Sequence, residues 1–224
     1  MPRDNVVKYV KLALISKPYI LESMKLGIVN YSALARMLHG EVERLSGRKL
    51  TQTAVKMAVL RASKELMDEG AGARKLALAL VGSEIKVVDN LCVLSIDPGK
   101  TSSVLNLLRE TLPKNRYLQL VQGVSATTII GDEEFLGEIY NSLERRDVKQ
   151  FLRRQSAIIL TGSPEILTTP GVVSVVSMAL SVRGINLTEV VSSYRDLIFV
   201  LGSDEAPRAY NIVRDLVISL KSLL

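Results

Sequence analysis

The sequence predicts an α+β protein in which a helical N-terminal domain precedes two tandem ferredoxin-like domains of βαββαβ order. Three observations carry that prediction. Apolar residues recur at helical spacing through the first third of the chain, and after Asn90 a series of strand, Pro-Gly, helix, strand, strand, helix runs twice. The landmarks of the two series also keep one period: Pro98 and Pro170 stand 72 residues apart, and the strand endings IIGDEE and VLGSDE, aligned on Gly131 and Gly202, stand 71 apart. Two landmarks agreeing on one displacement mark a duplicated unit. An order of βαββα(β) implies an antiparallel sheet with its helices on one face. The domains read as 1–75, 90–155 and 156–224.

In the helical domain, NVVKYVKLALIS places Val6, Val10 and Leu14 on one stripe, and Lys17-Pro18 interrupts it before a short helix through Lys25. The next helix has Asn30 or Ser32 as N-cap, Leu34, Met37, Leu38, Val42 and Leu45 on one side, and Gly47 as its stop. Thr51 caps a further helix expected to reach Glu69, with Val55, Ala58, Val59, Ala62 and Leu66 facing inward and Gln52, Thr53, Lys56, Arg61 and Lys64 on the opposite arc. A brief turn before a helix whose outer face carries amides, hydroxyls and cations is helix-turn-helix-like, with those five residues as candidate contacts to double-stranded DNA. A plain three-helix bundle is the competing reading, since Met57 and Leu60 interrupt the polar face and would pack on the first helix or on a partner chain. Beyond it, LALALV and EIKVVD flank Gly82-Ser83 and read as a hairpin over 76–89, either a wing or the start of the next domain.

Composition narrows the class. Of 224 residues 47% are hydrophobic and 23% charged, enough apolar material for two or three cored domains. The longest apolar run, Val172 to Val182, is broken by Ser174, Ser177 and Ser181 and stopped by Arg183, short of the roughly 20 residues of a membrane span. No membrane partner is expected. The N-terminus lacks the apolar core and cleavage site of a secretory signal, and Cys92, the lone cysteine, allows no internal disulfide; both fit a cytoplasmic protein. Residues 1–80 carry 14 Lys and Arg against 7 Asp and Glu, while residues 81–224 carry 15 against 16, so the excess of +6 is N-terminal. A concentrated positive region attracts polyanions or simply aids solubility.

Each Pro-Gly opens a helix. Proline pre-sets the first turn, and Gly171 lets the unpaired N–H groups of Gly171, Val172 and Val173 point at an external acceptor, for which a carboxylate is suited. The segment TPGVVSVVSMALSVRGINLTEVVSSYRDLIFVLGSDEAPRAYNIV resembles an ACT domain of the aspartokinase type, in its PGV, its alternating apolar helix, its GIN and its strand ending in Ser-Ser. The resemblance implies an amino-acid sensor whose modules pair side by side as a homodimer or higher homo-oligomer, with a small effector between the Pro-Gly loop of one and strands of its neighbour. It implicates Gly171, Val172 and Val173 for the ligand carboxylate, with Asn186, Glu189 and Ser193 beyond the helix and Glu189 receiving the ammonium. Copy one matches less well, with Lys100 after its Pro-Gly and no GIN, and is expected to be a structural partner. Copy two ends in VISLKSLL without a clear fourth strand, so the copies are expected to share or exchange strands.

No enzyme, metal or cofactor is expected. Gly99-Lys100-Thr101 resembles the end of a phosphate loop, but the position of its earlier glycine is Leu94, inside a strand. The sole histidine, His39, is far in sequence from Cys92, and no His/Cys cluster offers metal-ligand spacing. The expected function is a regulator that senses an amino acid through the ACT-like pair and binds DNA through the helical domain. The alternative is a regulatory subunit that docks on and modulates a metabolic enzyme, and a third reading leaves the pair to dimerise the chain only.

Overall fold

The computed structural model describes residues 4–25, 29–67, 71–111, 117–221 and 224. Residues 1–74 form one compact unit and residues 75–224 another.

The first unit is a bundle of α1 (Asp4–Ile15), α2 (Pro18–Lys25), α3 (Tyr31–Ser46) and α4 (Gln52–Met67). Its core is made by Val6, Val10 and Leu14 of α1, Leu34, Leu38 and Val42 of α3, and Val55, Ala58, Val59 and Ala62 of α4. Burial of these stripes, rather than intrinsic propensity, holds such short helices. The Leu66 side chain and the expected helix end at Glu69 lie outside the described residues. Asn30 caps α3, its side-chain oxygen accepting from the amides of Ser32 (3.0 Å) and Ala33 (3.1 Å), and Gly47 ends it. Thr51 Oγ1 accepts from the Ala54 amide at 3.1 Å and starts α4. Met37 and Leu45 of the predicted α3 stripe are exposed instead, because the buried arc centres on Leu34, Ala35, Leu38 and Val42.

The connection between α3 and α4 is clamped at Leu50. Its amide donates to Glu43 Oε1 (2.7 Å), and its carbonyl accepts from His39 Nε2 (2.8 Å), which must therefore carry the proton. His39→Ala leaves that half-buried carbonyl without its partner and is expected to cost about 1–3 kcal/mol, read as a lower urea midpoint for the first unit.

The second unit opens with α5 (Ala71–Leu80), whose first residues precede it, and corrects the expected hairpin over 76–89. Residues 76–80 are helical and pack Ala77, Ala79 and Leu80 into a core. A strict Leu-Ala alternation suits a strand's period, but alanine and leucine are among the strongest helix formers, and propensity decides here. Then follow β1 (Glu84–Ile96), α6 (Thr101–Thr111), β2 (Leu118–Gln122), β3 (Thr127–Asp132), α7 (Glu133–Ser142), β4 (Val148–Thr161), α8 (Val172–Ser181), β5 (Glu189–Ser193), β6 (Asp196–Gly202) and α9 (Ala206–Leu220).

All six strands join one antiparallel sheet in the order β2-β3-β1-β4-β6-β5, so two tandem, separately closed domains are not what forms. Copy one uses the second half of β1 (Leu91–Ile96, on β3) and the first half of β4. Copy two uses the second half of β4 (Gln155–Thr161, on β6) and takes as its fourth strand the first half of β1, Glu84–Val88, which pairs with Thr161–Ala157. The strand missing from the C-terminus thus lies ahead of copy one.

The hand-over points are marked by bulges. One extra residue sits on β1 between Val88 and Leu91, and one on β4 between Leu152 and Gln155. Asn90 (φ 60°) and Arg154 (φ 55°) occupy the left-handed region there, where non-glycine residues are uncommon. Carboxylates hold both turns. Glu133 accepts from the Arg154 amide (2.7 Å) and Arg153 Nε (2.8 Å), and Asp89 accepts from Ser156 Oγ (2.5 Å) and Ser203 Oγ (2.9 Å).

Helices cover one sheet face in two cores, copy one around Cys92, Leu94, Ile96 and Leu136, copy two around Leu160, Phe199, Val176 and Val213. The helix-free face is buried as well: Leu91, Val93 and Ile130 of copy one join Ala157, Ile198 and Val200 of copy two in one cluster, each at most 1% exposed. The sheet therefore curls at the bulges and closes this face upon itself. Tyr117 of copy one reflects that closure, its phenol pushed up to about 12 by burial and by the Asp196 carboxylate of copy two.

Candidate functional site

The two Pro-Gly loops differ in what their amides meet. In copy one, Asp97 Oδ1 accepts from the Gly99 amide at 3.0 Å and Thr101 Oγ1 donates to the Pro98 carbonyl at 2.7 Å. Lys149 pairs with Asp97 (3.3 Å) and Lys100 with Asp147 (3.1 Å), and the Gly99 amide, with Lys149, holds the Asp97 carboxyl below its ordinary value. This loop is closed by its own side chains.

In copy two, Thr169 stands where Asp97 stands in copy one, directly before the proline. Gly171 precedes α8 with φ +90°, a conformation glycine adopts without strain, and among the described residues no side chain caps the helix. Among the described residues, none accepts from the amides of Gly171, Val172 and Val173. The Val172 side chain is buried in the copy-two core, and Val173 is exposed. Residues 162–168, which have no counterpart in copy one, hold the C-terminal end of α5: the Ser163 amide donates to the Ala79 carbonyl (3.3 Å) and Ser163 Oγ lies 3.3 Å from the Leu78 carbonyl.

The register separates the other sequence-predicted residues. Ser193 pairs with Asp196, which pairs with Thr161, so Ser193 lies at the end of the sheet from which the loop leaves. Glu189 pairs with Val200 at the other end, about 13 Å along β5 at the usual rise per residue. Asn186, exposed after α8, belongs to that far end, where the Arg208 guanidinium at the start of α9 donates to the Arg183 carbonyl. Within one chain, then, Gly171, Val172, Val173 and Ser193 share one end, Asn186 and Glu189 the other. Glu189 and Ser193 also share the sheet face of Val200, opposite α8.

Glu189 is electrostatically distinctive. Half-buried at the head of β5, its carboxyl is raised from the ordinary 4.5 by loss of water, and no cation pairs with it among the described residues. Its neighbour Thr188 donates to Gln155 Oε1 (2.8 Å), and Gln155 Nε2 donates to the Arg153 carbonyl (3.0 Å), tying the head of β5 to the β4 bulge. Sequence reasoning missed Asp89, Gln155 and Thr188; their roles depend on strand pairing, which leaves no local signal.

In the first unit, Gln52, Thr53, Lys56, Arg61 and Lys64 are all exposed on the outward arc of α4, with Met57 49% exposed among them. Cys92 is buried in copy one with its thiol pushed up to about 12 by desolvation, unlike a nucleophile. Among the described residues, no group of three His, Cys, Asp or Glu is placed to hold a metal ion, and no helix is long and apolar enough to cross a membrane.

No protein-family model matches the chain, and no curated protein matches it in sequence. Solved structures do match. The ligand-free regulatory subunit of aspartate kinase from Thermus thermophilus aligns with a TM-score of 0.51 at 16% identity, over 61% of this chain and 97% of that one. The corresponding regulatory subunit from Thermus flavus gives 0.51 at 17%, over 61% and 97%. At such identities the likeness is one of fold alone, and it holds for the aligned three-fifths of this chain, which has the fold of these aspartate kinase regulatory subunits.

Proposed function

We propose that the protein is an amino-acid-responsive regulatory subunit that docks on and modulates a metabolic enzyme. The observation that carries the sensing part is Glu189, a partly dehydrated carboxylate without a counter-ion among the described residues, which an ammonium group would satisfy. Its complement, the uncapped amides at the head of α8, suits a carboxylate. These groups lie apart in one chain, but β5 is an edge strand. Antiparallel pairing of two β5 edges about a two-fold axis sets the Glu189 end of one chain against the Ser193 end of the other. A homodimer thus brings the carboxylate of one chain and the α8 amides of the other, which lie on opposite faces, to the same end of the joined sheet, where an amino acid would have to reach around the edge to meet both.

A panel of the common amino acids tests this, since a ligand bound by the native state raises the melting temperature. One or a few are expected to do so, with light scattering reporting a dimer; a flat panel refutes the sensing role. The bare Glu189 carboxylate gives a second expectation. Because the folded state raises its pKa, the folded chain holds this proton more tightly than the unfolded one, and stability falls as pH rises from the ordinary 4.5 into the raised range. Glu189→Gln is therefore expected to raise the melting temperature of the ligand-free protein at pH 7, not at pH 4, and to remove the amino-acid response.

One observation favours a second reading, a DNA-binding regulator: the exposed polar and cationic arc Gln52, Thr53, Lys56, Arg61 and Lys64. It requires steeply salt-dependent duplex binding that is lost when Lys56, Arg61 and Lys64 are replaced by alanine.

A further inference from the structure

The outward face of α4 is centred on an apolar side chain. Met57 has Thr53 four residues before it, Leu60 three after, Arg61 four after and Lys64 seven after, all neighbours on one helical surface. About half of Met57 is open, and Leu60 is half-buried. Three carboxylates of this unit are already engaged: Glu41 pairs with Lys17 (2.7 Å), Glu65 pairs with Lys11, and Glu43 holds the Leu50 amide. Lys56, Arg61 and Lys64, and Arg48 and Lys49 in the connection ahead of α4, are exposed with no ion pair among the described residues.

A half-open apolar anchor with arginines near it and lysines around the edge suits a protein-docking patch, in which methionine and arginine are enriched, lysine is depleted from the centre, and a buried centre is framed by a polar rim. Cations alone would suit any polyanion, but a phosphate backbone gives Met57 nothing to bury against. We propose that this face docks an acidic protein surface carrying an apolar cleft for Met57. The proposal rests on the regulatory-subunit reading above and names the chemistry of its partner.

The test uses the full chain and three probes: an acidic peptide of about 20 residues with leucines at i, i+3, i+4 and i+7, polyglutamate of the same length, and a duplex DNA of similar charge. The peptide is expected to bind about tenfold more tightly than polyglutamate, the margin that burying one methionine supplies. Met57→Ala should erase that margin and leave polyglutamate binding unchanged, while Arg61→Ala with Lys64→Ala should weaken both, most at low salt. Peptide no tighter than polyglutamate overturns the proposal. So does DNA that binds more tightly than the peptide and ignores Met57→Ala, or a Met57→Ala effect confined to self-association, which would make a second copy the occupant. The amino-acid thermal response is read separately: its loss in the wild-type chain refutes sensing alone, and its persistence in Met57→Ala shows that the variant is folded.

Discussion

A fragment starting at Leu91 is expected not to fold cooperatively, whereas one starting at Lys75 should give a sigmoidal urea transition. The difference removes Ala77, Ala79 and Leu80 of α5 and the half-strand carrying Ile85 and Val88, all of which pack into the cores of copy two or the curled sheet. Three large aliphatics and two alanines contribute roughly 5–8 kcal/mol of burial, comparable with the whole stability of an ordinary domain. The loss also strips Ala157–Thr161 of its ladder partner on that side. Circular dichroism against urea for the two fragments decides it, and equal midpoints would show that copy two closes without the borrowed strand.

Gly171→Val is expected to abolish the amino-acid response while leaving the fold in place. The position has φ +90°, which a β-branched residue reaches only at about 1–3 kcal/mol of strain. Crowding is not the cause, because the nearest atom to an added Cβ is Leu76 Cδ1 at 3.6 Å, an ordinary contact. The loop must instead re-form with its amides turned from their present direction. Gly99→Ala in copy one is the control: its added Cβ meets the exposed end of Asp97 at 3.2 Å, and the response should persist. A response that survives Gly171→Val would remove the α8 amides from the binding site.

Much of the architecture could be read from short-range chemistry. Asn30, Gly47 and Thr51 act at the helix ends where their capping preferences place them, and the Pro-Gly offset revealed the duplication. Residues 76–80 were misread because their alternation imitates a strand. The lending of Glu84–Val88 was only hinted at, by the want of a last strand in copy two, since pairing partners 69 to 77 positions apart leave no periodicity to find. The candidate site fared worse for the same reason. Gly171 and Glu189 are close in sequence, but a helix running back along the sheet carries them to opposite ends, and only register reveals it. Asn90 and Arg154 gave no warning of the bulges, because left-handed backbone in a strand is ordinarily signalled by glycine.

Because its fourth strand is the first part of the sheet to be synthesised, copy two is completed out of order during translation. Residues 84–88 leave the ribosome well before their partners at 157–161, and copy one is finished in the interval. At roughly 5–20 residues per second, the half-strand waits several seconds with its ladder groups open, beside a neighbour already folded. Its sequence, EIKVV, sets Glu84 and Lys86 between its apolar residues, and such charges discourage pairing with a stranger during that wait.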